Sequence, residues 1–189
     1  RYMQHCAGPL LEKELKALEK IKVKSALYIL GGAKPEDNIK LLRKNKILAC
    51  GLFGQMCLIA KRFEFGAQEK YLKKNVKDFD KVVKILEGKL KNVETPIDFA
   101  VEVNGKRAEL NLDEFPSKYE IYDIGKKTQE LFGKKIKKAK AIYMKGPAGF
   151  CGDKRFCNGT VALLRAISKN KGFSLLGGGH LSDAIKVSG

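Results

Sequence analysis

The stretch ALYILGGAKPEDNIKLLRKNK, residues 26–46, decides the fold. Ala26 to Leu30 form an unbroken apolar run that ends in Gly31-Gly32-Ala33-Lys34. An apolar run bounded by glycine predicts a strand buried on both faces, as in a parallel sheet. Pro35 then opens a segment of helical period, and proline suits a first helical position because its missing N–H would have no partner there. Ile39, Leu41 and Leu42 give that segment a face to bury. Strand, glycine turn, helix is the unit whose carboxyl end faces ligand in open α/β sheets. Small residues let the main chain approach a phosphate, and Lys34 stands at that mouth as a candidate ligand. Glu36 and Asp37 in the first turn would repel a bare phosphate, though not a magnesium-bound one. Glycine pairs also serve simply to turn, so this motif alone leaves both roles open. Neither GxxxxGK[ST] nor GxGxxG is present.

Working outward, the pattern repeats. Lys46 to Cys50 is a second short apolar run, and Gly51 to Ala60 predicts a glycine turn entering a buried helix. That turn would either wall a flat apolar group or simply pack the core. Gln68 to Lys91 carries Val76, Phe79, Val83, Leu86 and Leu90 at helical steps. Thr95 to Val103 predicts a strand, and Asn104-Gly105 signals a hairpin returning through Arg107 to Leu110. Glu120 to Ile124 begins the next unit, with a helix over 126–138 interrupted near Gly133. Ala141 to Lys145 ends in Gly146-Pro147-Ala148-Gly149, Thr160 to Ser168 is the following helix, and Phe173 to Leu176 ends in Gly177-Gly178-Gly179-His180. A short terminal helix opens at Ser182. Three small-residue turns at strand ends fall on one edge of a parallel sheet, which argues for a main-chain cradle for a phosphorylated ligand. The expected fold is α/β: an open, Rossmann-like parallel sheet of about six strands flanked by helices, with a small antiparallel hairpin.

Composition bounds the rest. A chain of 189 residues buries roughly 70% of its unfolded surface, enough for one domain. The 38 Lys+Arg against 21 Asp+Glu leave a net charge of +17, which attracts anions or nucleic acid. The lysines are interleaved with acids along helical segments and show no aromatic RNA-binding pattern, so a solvated lysine-rich surface is the simpler account. The five cysteines have no CxxC spacing and only His5 and His180 accompany them, so no zinc site is expected and the thiols read as free in a reducing compartment. No run reaches the length of a membrane span, and a soluble cytoplasmic chain is expected. Arg1-Tyr2-Met3 is not an initiator, so residues are expected to precede it.

Six ordered motifs carry a resemblance. GGAK at 31–34, TPIDF at 95–99, YDIGKKT at 122–128, KGPAGF at 145–150, NGT at 158–160 and GGGH at 177–180 resemble the carboxyl-terminal, nucleotide-binding domain of the phosphoglycerate kinase family. AGPLLEKEL at 7–15 resembles the stretch leading into that family's interdomain helix, so 1–22 is expected to be such a helix and 23–189 the domain. The resemblance implies phosphoryl transfer between bisphosphoglycerate and ADP in glycolysis. It also implies adenosine and phosphates beside Gly32, Ala33 and Lys34, and a base walled by Gly51. Ribose and phosphates would pass Gly146, Pro147 and Gly149, and the phosphate end would face Gly178, Gly179 and His180. ADP or ATP is the implied partner, with Mg2+ brought by the nucleotide near Asp37.

The chain departs from the family pattern at several positions. Asn38 replaces the second lysine of GGAKxxDK, Lys145 the asparagine of WNGP, and His180 the aspartate of GGGD. Gly152 replaces the ribose-binding glutamate of GVFE, with Asp153 next to it as a substitute, and Ala49-Cys50 replace two glycines of GGGM. A phosphate-touching His180 or a capping one are both open. No catalytic residue is expected within the chain. By the resemblance, the family's final STGGG loop would come after the position matched by Gly189, and phosphoglycerate would be held by an amino-terminal domain that nothing in this sequence matches. A monomer is expected, inactive on its own. The other reading is a basic α/β scaffold that binds RNA or a protein and has lost nucleotide binding.

Overall fold

The structure, a computed structural model, describes residues 26–42, 45–178 and 181. The expected helices over 1–22 and after Ser182, and the positions Gly179 and His180, lie outside the described residues.

The apolar run that opens the fold is β1 (Leu27–Leu30). Among the described residues its sheet has five strands, all parallel, built with β2 (Lys46–Ala49), β3 (Val93–Glu94), β7 (Ala141–Lys145) and β8 (Phe173–Gly177) in the order β3-β2-β1-β7-β8. Leu27 pairs with Lys46 on one side and with Ile142 on the other. Alternation along β1 fills two separate cores. Leu27 and Ile29 face α5 (Lys126–Lys137) and α6 (Asn158–Ser168), meeting Phe132, Ile136, Leu163 and Ile167. Leu30 faces α2 (Gly51–Ala60), α3 (Ala67–Asn75) and α4 (Phe79–Glu87), meeting Phe53, Met56, Leu72 and Leu86. Helices on both faces are why β1 carries no polar side.

A second sheet stands beside the first. β4 (Asp98–Val103) lies between β5 (Lys106–Asn111) and β6 (Ile121–Ile124), antiparallel to both. The expected Asn104-Gly105 hairpin is present, with φ of 51° and 75° at the two residues. The hairpin is therefore two strands of a three-stranded sheet, because 121–124, expected to start a parallel unit, pairs with β4. Phe65, Phe99 and Phe115 meet edge-to-face beneath it at centroid distances of 5.4–6.0 Å.

Three local expectations change. The long helix over 68–91 is two helices, since Asp78 turns left-handed at φ 53° between α3 and α4. The helix after Pro35 is a single turn, α1 (Glu36–Ile39), and Leu41 and Leu42 reach the core from the segment after it. Gly133 does not interrupt α5, because it sits on an open side of the helix with nothing within 4 Å of a built Cβ.

Candidate functional site

Strand order reverses at β1. The connection through α1 leads outward to β2, whereas β7 lies on the opposite side. Such a reversal opens a crevice at the carboxyl ends of the strands. Here a cavity of about 680 Å3 occupies it, lined by Gly32 and Ala33 after β1, Gly51 and Leu52 after β2, and Pro147 to Gly152 after β7. Its other wall is Gln55 of α2, Gln68 and Tyr71 of α3, and residues 120–122 entering β6.

The turns are stitched by main-chain bonds. Gly31 N–H donates to the Lys145 carbonyl at 2.8 Å, Gly32 N–H to Pro147 at 2.8 Å, and Gly51 N–H to Ala148 at 3.1 Å. Gly146 N–H donates to Gly177 at 3.3 Å, which ties in the turn after β8. The packing explains the glycines. A Cβ on Gly31 would stand 2.3 Å from the Pro147 carbonyl oxygen, and one on Gly146, at φ +76°, would stand 2.8 Å from the Gly31 carbonyl.

Side chains behind the turns fix them. Thr160 of α6 is buried, and its Oγ1 accepts from Ala148 N–H at 2.9 Å. Asn38 is buried and donates from Nδ2 to the Gly31 carbonyl at 2.9 Å, so the residue that replaces a family lysine braces the first turn. Asp123 accepts from Gly159 N–H, Ile124 N–H and Arg107 Nη1 at 2.8–2.9 Å. Burial outweighs these donors and pushes its carboxyl up to about 6. Asp98 caps α5 through Lys127 N–H at 2.8 Å and Thr128 N–H at 2.7 Å. The aspartates of TPIDF and YDIGKKT thus tie the antiparallel sheet to α5 and α6, and neither lines the crevice.

The expected site residues divide. Gly32, Ala33, Gly51, Pro147 and Gly149 line the cavity. Lys34 is exposed at the start of α1 and does not line it. Lys145 places Nζ 3.9 Å from Asp37 Oδ2. Gly146 lies under the turns, and Gly178 follows β8. Asp153, the expected substitute for the ribose-binding glutamate, does not line the cavity. Its carboxylate is committed to Arg155, at 2.6 Å to Nη2 and 2.9 Å to N–H, and that pairing holds it below the usual carboxylate range. Gly152 lines the cavity in its stead.

The thiol expectation fails at one pair. Cys151 and Cys157, six residues apart, are joined by a disulfide that closes the loop carrying the Phe150–Gly152 wall. The loop brings their Cα atoms to 4.3 Å, at the short end of bridging distance. Cys50 and Cys57 are free and buried, and burial raises both thiols, Cys57 to about 12, so neither is reactive. Among the described residues no group of three or more His, Cys, Asp or Glu could hold a metal. None of their helices is long and apolar enough to cross a membrane.

Lining residues not named as site candidates from the sequence are Gln55, Gln68, Tyr71 and Tyr122 on the far wall and Phe150 in the turn after β7. One signal was available. Gln55 is the single polar side chain in GLFGQMCLIA, an otherwise apolar helix.

A doubly wound α/β domain with a glycine-lined crevice at its switch point belongs to the class that binds ligands outside the carboxyl ends of its strands. The chain belongs to the phosphoglycerate kinase family, whose profile matches residues 1–189. It is 37% identical over 196 aligned positions to phosphoglycerate kinase of Methanothermus fervidus, covering 97% of this chain and 48% of that one. It is 40% identical to that of Pyrococcus furiosus, covering 92% and 46%. The crystal structure of phosphoglycerate kinase from Pyrococcus horikoshii superposes with a TM-score of 0.85 at 34% identity, over 96% of this chain and 49% of that one. The chain spans about half the length of the curated relatives it matches.

Proposed function

We propose that the crevice binds ADP or ATP and that this chain is the nucleotide-binding half of a phosphoglycerate kinase, which transfers a phosphoryl group between bisphosphoglycerate and ADP in glycolysis. The observation that carries this is the cavity of about 680 Å3 at the reversal of strand order, walled by three small-residue turns. Its size falls in the range of small-molecule sites. The wall of Leu52, Ile121, Tyr122 and Phe150 suits a flat base, while Gly32 and Ala33 let phosphates run along main chain toward Lys34.

The donor set suits magnesium that arrives with a nucleotide rather than a resident ion. Magnesium commonly binds through one or two carboxylates plus substrate phosphates, and Asp37 is one exposed carboxylate at the start of α1. Asp37 would hold the ion, which when bound offsets charge on the phosphates. Lys34 supplies a further positive charge, and Lys145 balances Asp37 at 3.9 Å. Phosphoryl transfer rests mainly on positioning and charge, which is the work such a cradle performs. Phosphoglycerate would be held outside this domain. The family reading carries a cytoplasmic setting with it, and a protected disulfide there has precedent among proteins of hyperthermophiles.

Calorimetry with Mg-ADP tests the proposal. One site is expected, and Lys34→Ala weakens it at least tenfold. No heat at millimolar nucleotide, with RNA bound instead through the +17 surface, would overturn the proposal in favour of a nucleic-acid scaffold.

A further inference from the structure

The far wall of the cavity holds a chain of amides whose polarity is fixed. Ile121 N–H donates to Gln68 Oε1 at 2.8 Å. A backbone N–H can only donate, so this oxygen is assigned without ambiguity, and the other end of Gln68 is its NH2 group. That group donates to Gln55 at 2.8 Å, so Gln55 must present Oε1 to it. The Nε2 group of Gln55 is what remains. It makes no hydrogen bond to any described residue, although Gln55 is only 3% exposed and lines the cavity.

Gln55 and Gln68 are the buried polar side chains of the lining, and Gln68 is engaged at both ends. Tyr71 is exposed, and Glu120 at the rim is exposed as well. Nε2 is not sealed off, since the only buried side-chain N or O atom without a partner among the described residues is Asn38 Oδ1, so this donor is open to the cavity and available to an acceptor on a ligand there. The chemistry is directional: an NH2 group takes a ring nitrogen or carbonyl oxygen and disfavours an N–H placed opposite it.

We propose that Gln55 is a specificity-determining residue of this crevice, its Nε2 donating to an acceptor nitrogen on the edge of a purine base. Gln68 and the Ile121 N–H are positioning groups that hold the amide in the donating sense. The inference rests on the nucleotide reading of the same cavity. It assigns the base to the wall between α2 and β6 and the phosphates to the turns.

The test measures binding of ADP and of its 1-deaza, 3-deaza and 7-deaza analogues, each of which replaces one ring nitrogen by C–H. The wild-type protein should bind one of the three about five- to tenfold more weakly than ADP, the loss expected for one hydrogen bond. Gln55→Leu should bind ADP and that analogue alike. Gln55→Glu keeps an acceptor for Gln68 but turns an acceptor toward the base, so it should weaken ADP further than Gln55→Leu does. Wild-type affinities equal within about twofold across the series would overturn the inference whether or not the variants fold. Discrimination that persists in Gln55→Leu would also overturn it. If ADP itself fails to bind, the nucleotide reading falls and this inference with it. If ADP binds without discrimination, the inference alone falls.

Discussion

The two ends of the crevice are built from different materials. The turn end is main chain, with glycines packed against carbonyls at Gly31, Gly51 and Gly146 and bonded across β1, β2 and β7. The amide end is side chain, a relay from Ile121 through Gln68 to Gln55 between Tyr122 and the start of α2. A main-chain surface is indifferent to which base a nucleotide carries, because every nucleotide has phosphates. A directional amide is not. For the nucleotide site proposed above, the difference implies a division of labour: the turns would supply affinity for the class of ligand, and the relay the choice within it.

The turn end depends on groups behind it, and breaking them should separate the two ends. The largest effect is expected at Asp123. Asp123→Ala leaves the mostly buried Arg107 with the part-exposed Glu109 as its remaining carboxylate partner, and leaves the N–H groups of Gly159 and Ile124 without their side-chain acceptor. Losses of about 3–5 kcal/mol are typical for half of a buried pair, and urea unfolding measures them directly. A loss below about 1 kcal/mol would mean that Asp123 does little to hold α6 against the antiparallel sheet.

A smaller effect belongs to Thr160→Val, which keeps shape but strips the acceptor from Ala148 N–H. The expected cost is about 1–3 kcal/mol of stability, together with weaker binding of every nucleotide and unchanged discrimination among the deaza analogues. Altered discrimination would show that the two ends are coupled.

A third effect is a tilt with pH. The Asp123 carboxyl is raised to about 6 by burial, above its ordinary value of 3.8. Folding therefore favours its protonated form, so its favourable contribution is complete below the ordinary value and is lost as pH rises toward 6. Denaturation midpoints at pH 4, 5, 6 and 7 should show the wild type losing ground to Asp123→Asn up to pH 6, then holding level. A wild type that instead gains on the variant over that range would place the carboxyl below its ordinary value, with Arg107 outweighing burial.

Much of the turn end was legible before any coordinates, because glycine after an apolar run is a local signal. GGAK, Gly51 and GPAG all fell where strands end, and five of the expected site residues line the cavity. The amide end was not legible, since Gln55 and Gln68 are thirteen positions apart on two helices and meet an N–H fifty-three positions further on. No periodicity records such a meeting. Asp153 illustrates the opposite failure. Its position in the motif suited a ribose contact, but a neighbouring Arg155 took the carboxylate. The misassigned strand at 121–124 has a similar cause. A short apolar run followed by Gly125 looks alike in parallel and antiparallel sheets, and only pairing with β4 distinguishes them.

The central claim is that a nucleotide lies in the crevice with its phosphates at the turns and its base at the amides. The most direct measurement is the Mg-ADP titration followed residue by residue through amide nitrogen–proton spectra. The account predicts saturating shifts at the N–H groups of Gly32, Ala33, Gly51 and Gly149 and at the side-chain NH2 of Gln55, with α4, which lines no part of the crevice, unmoved. Shifts confined to the exposed lysines of α5, with the turns and Gln55 silent, would contradict it.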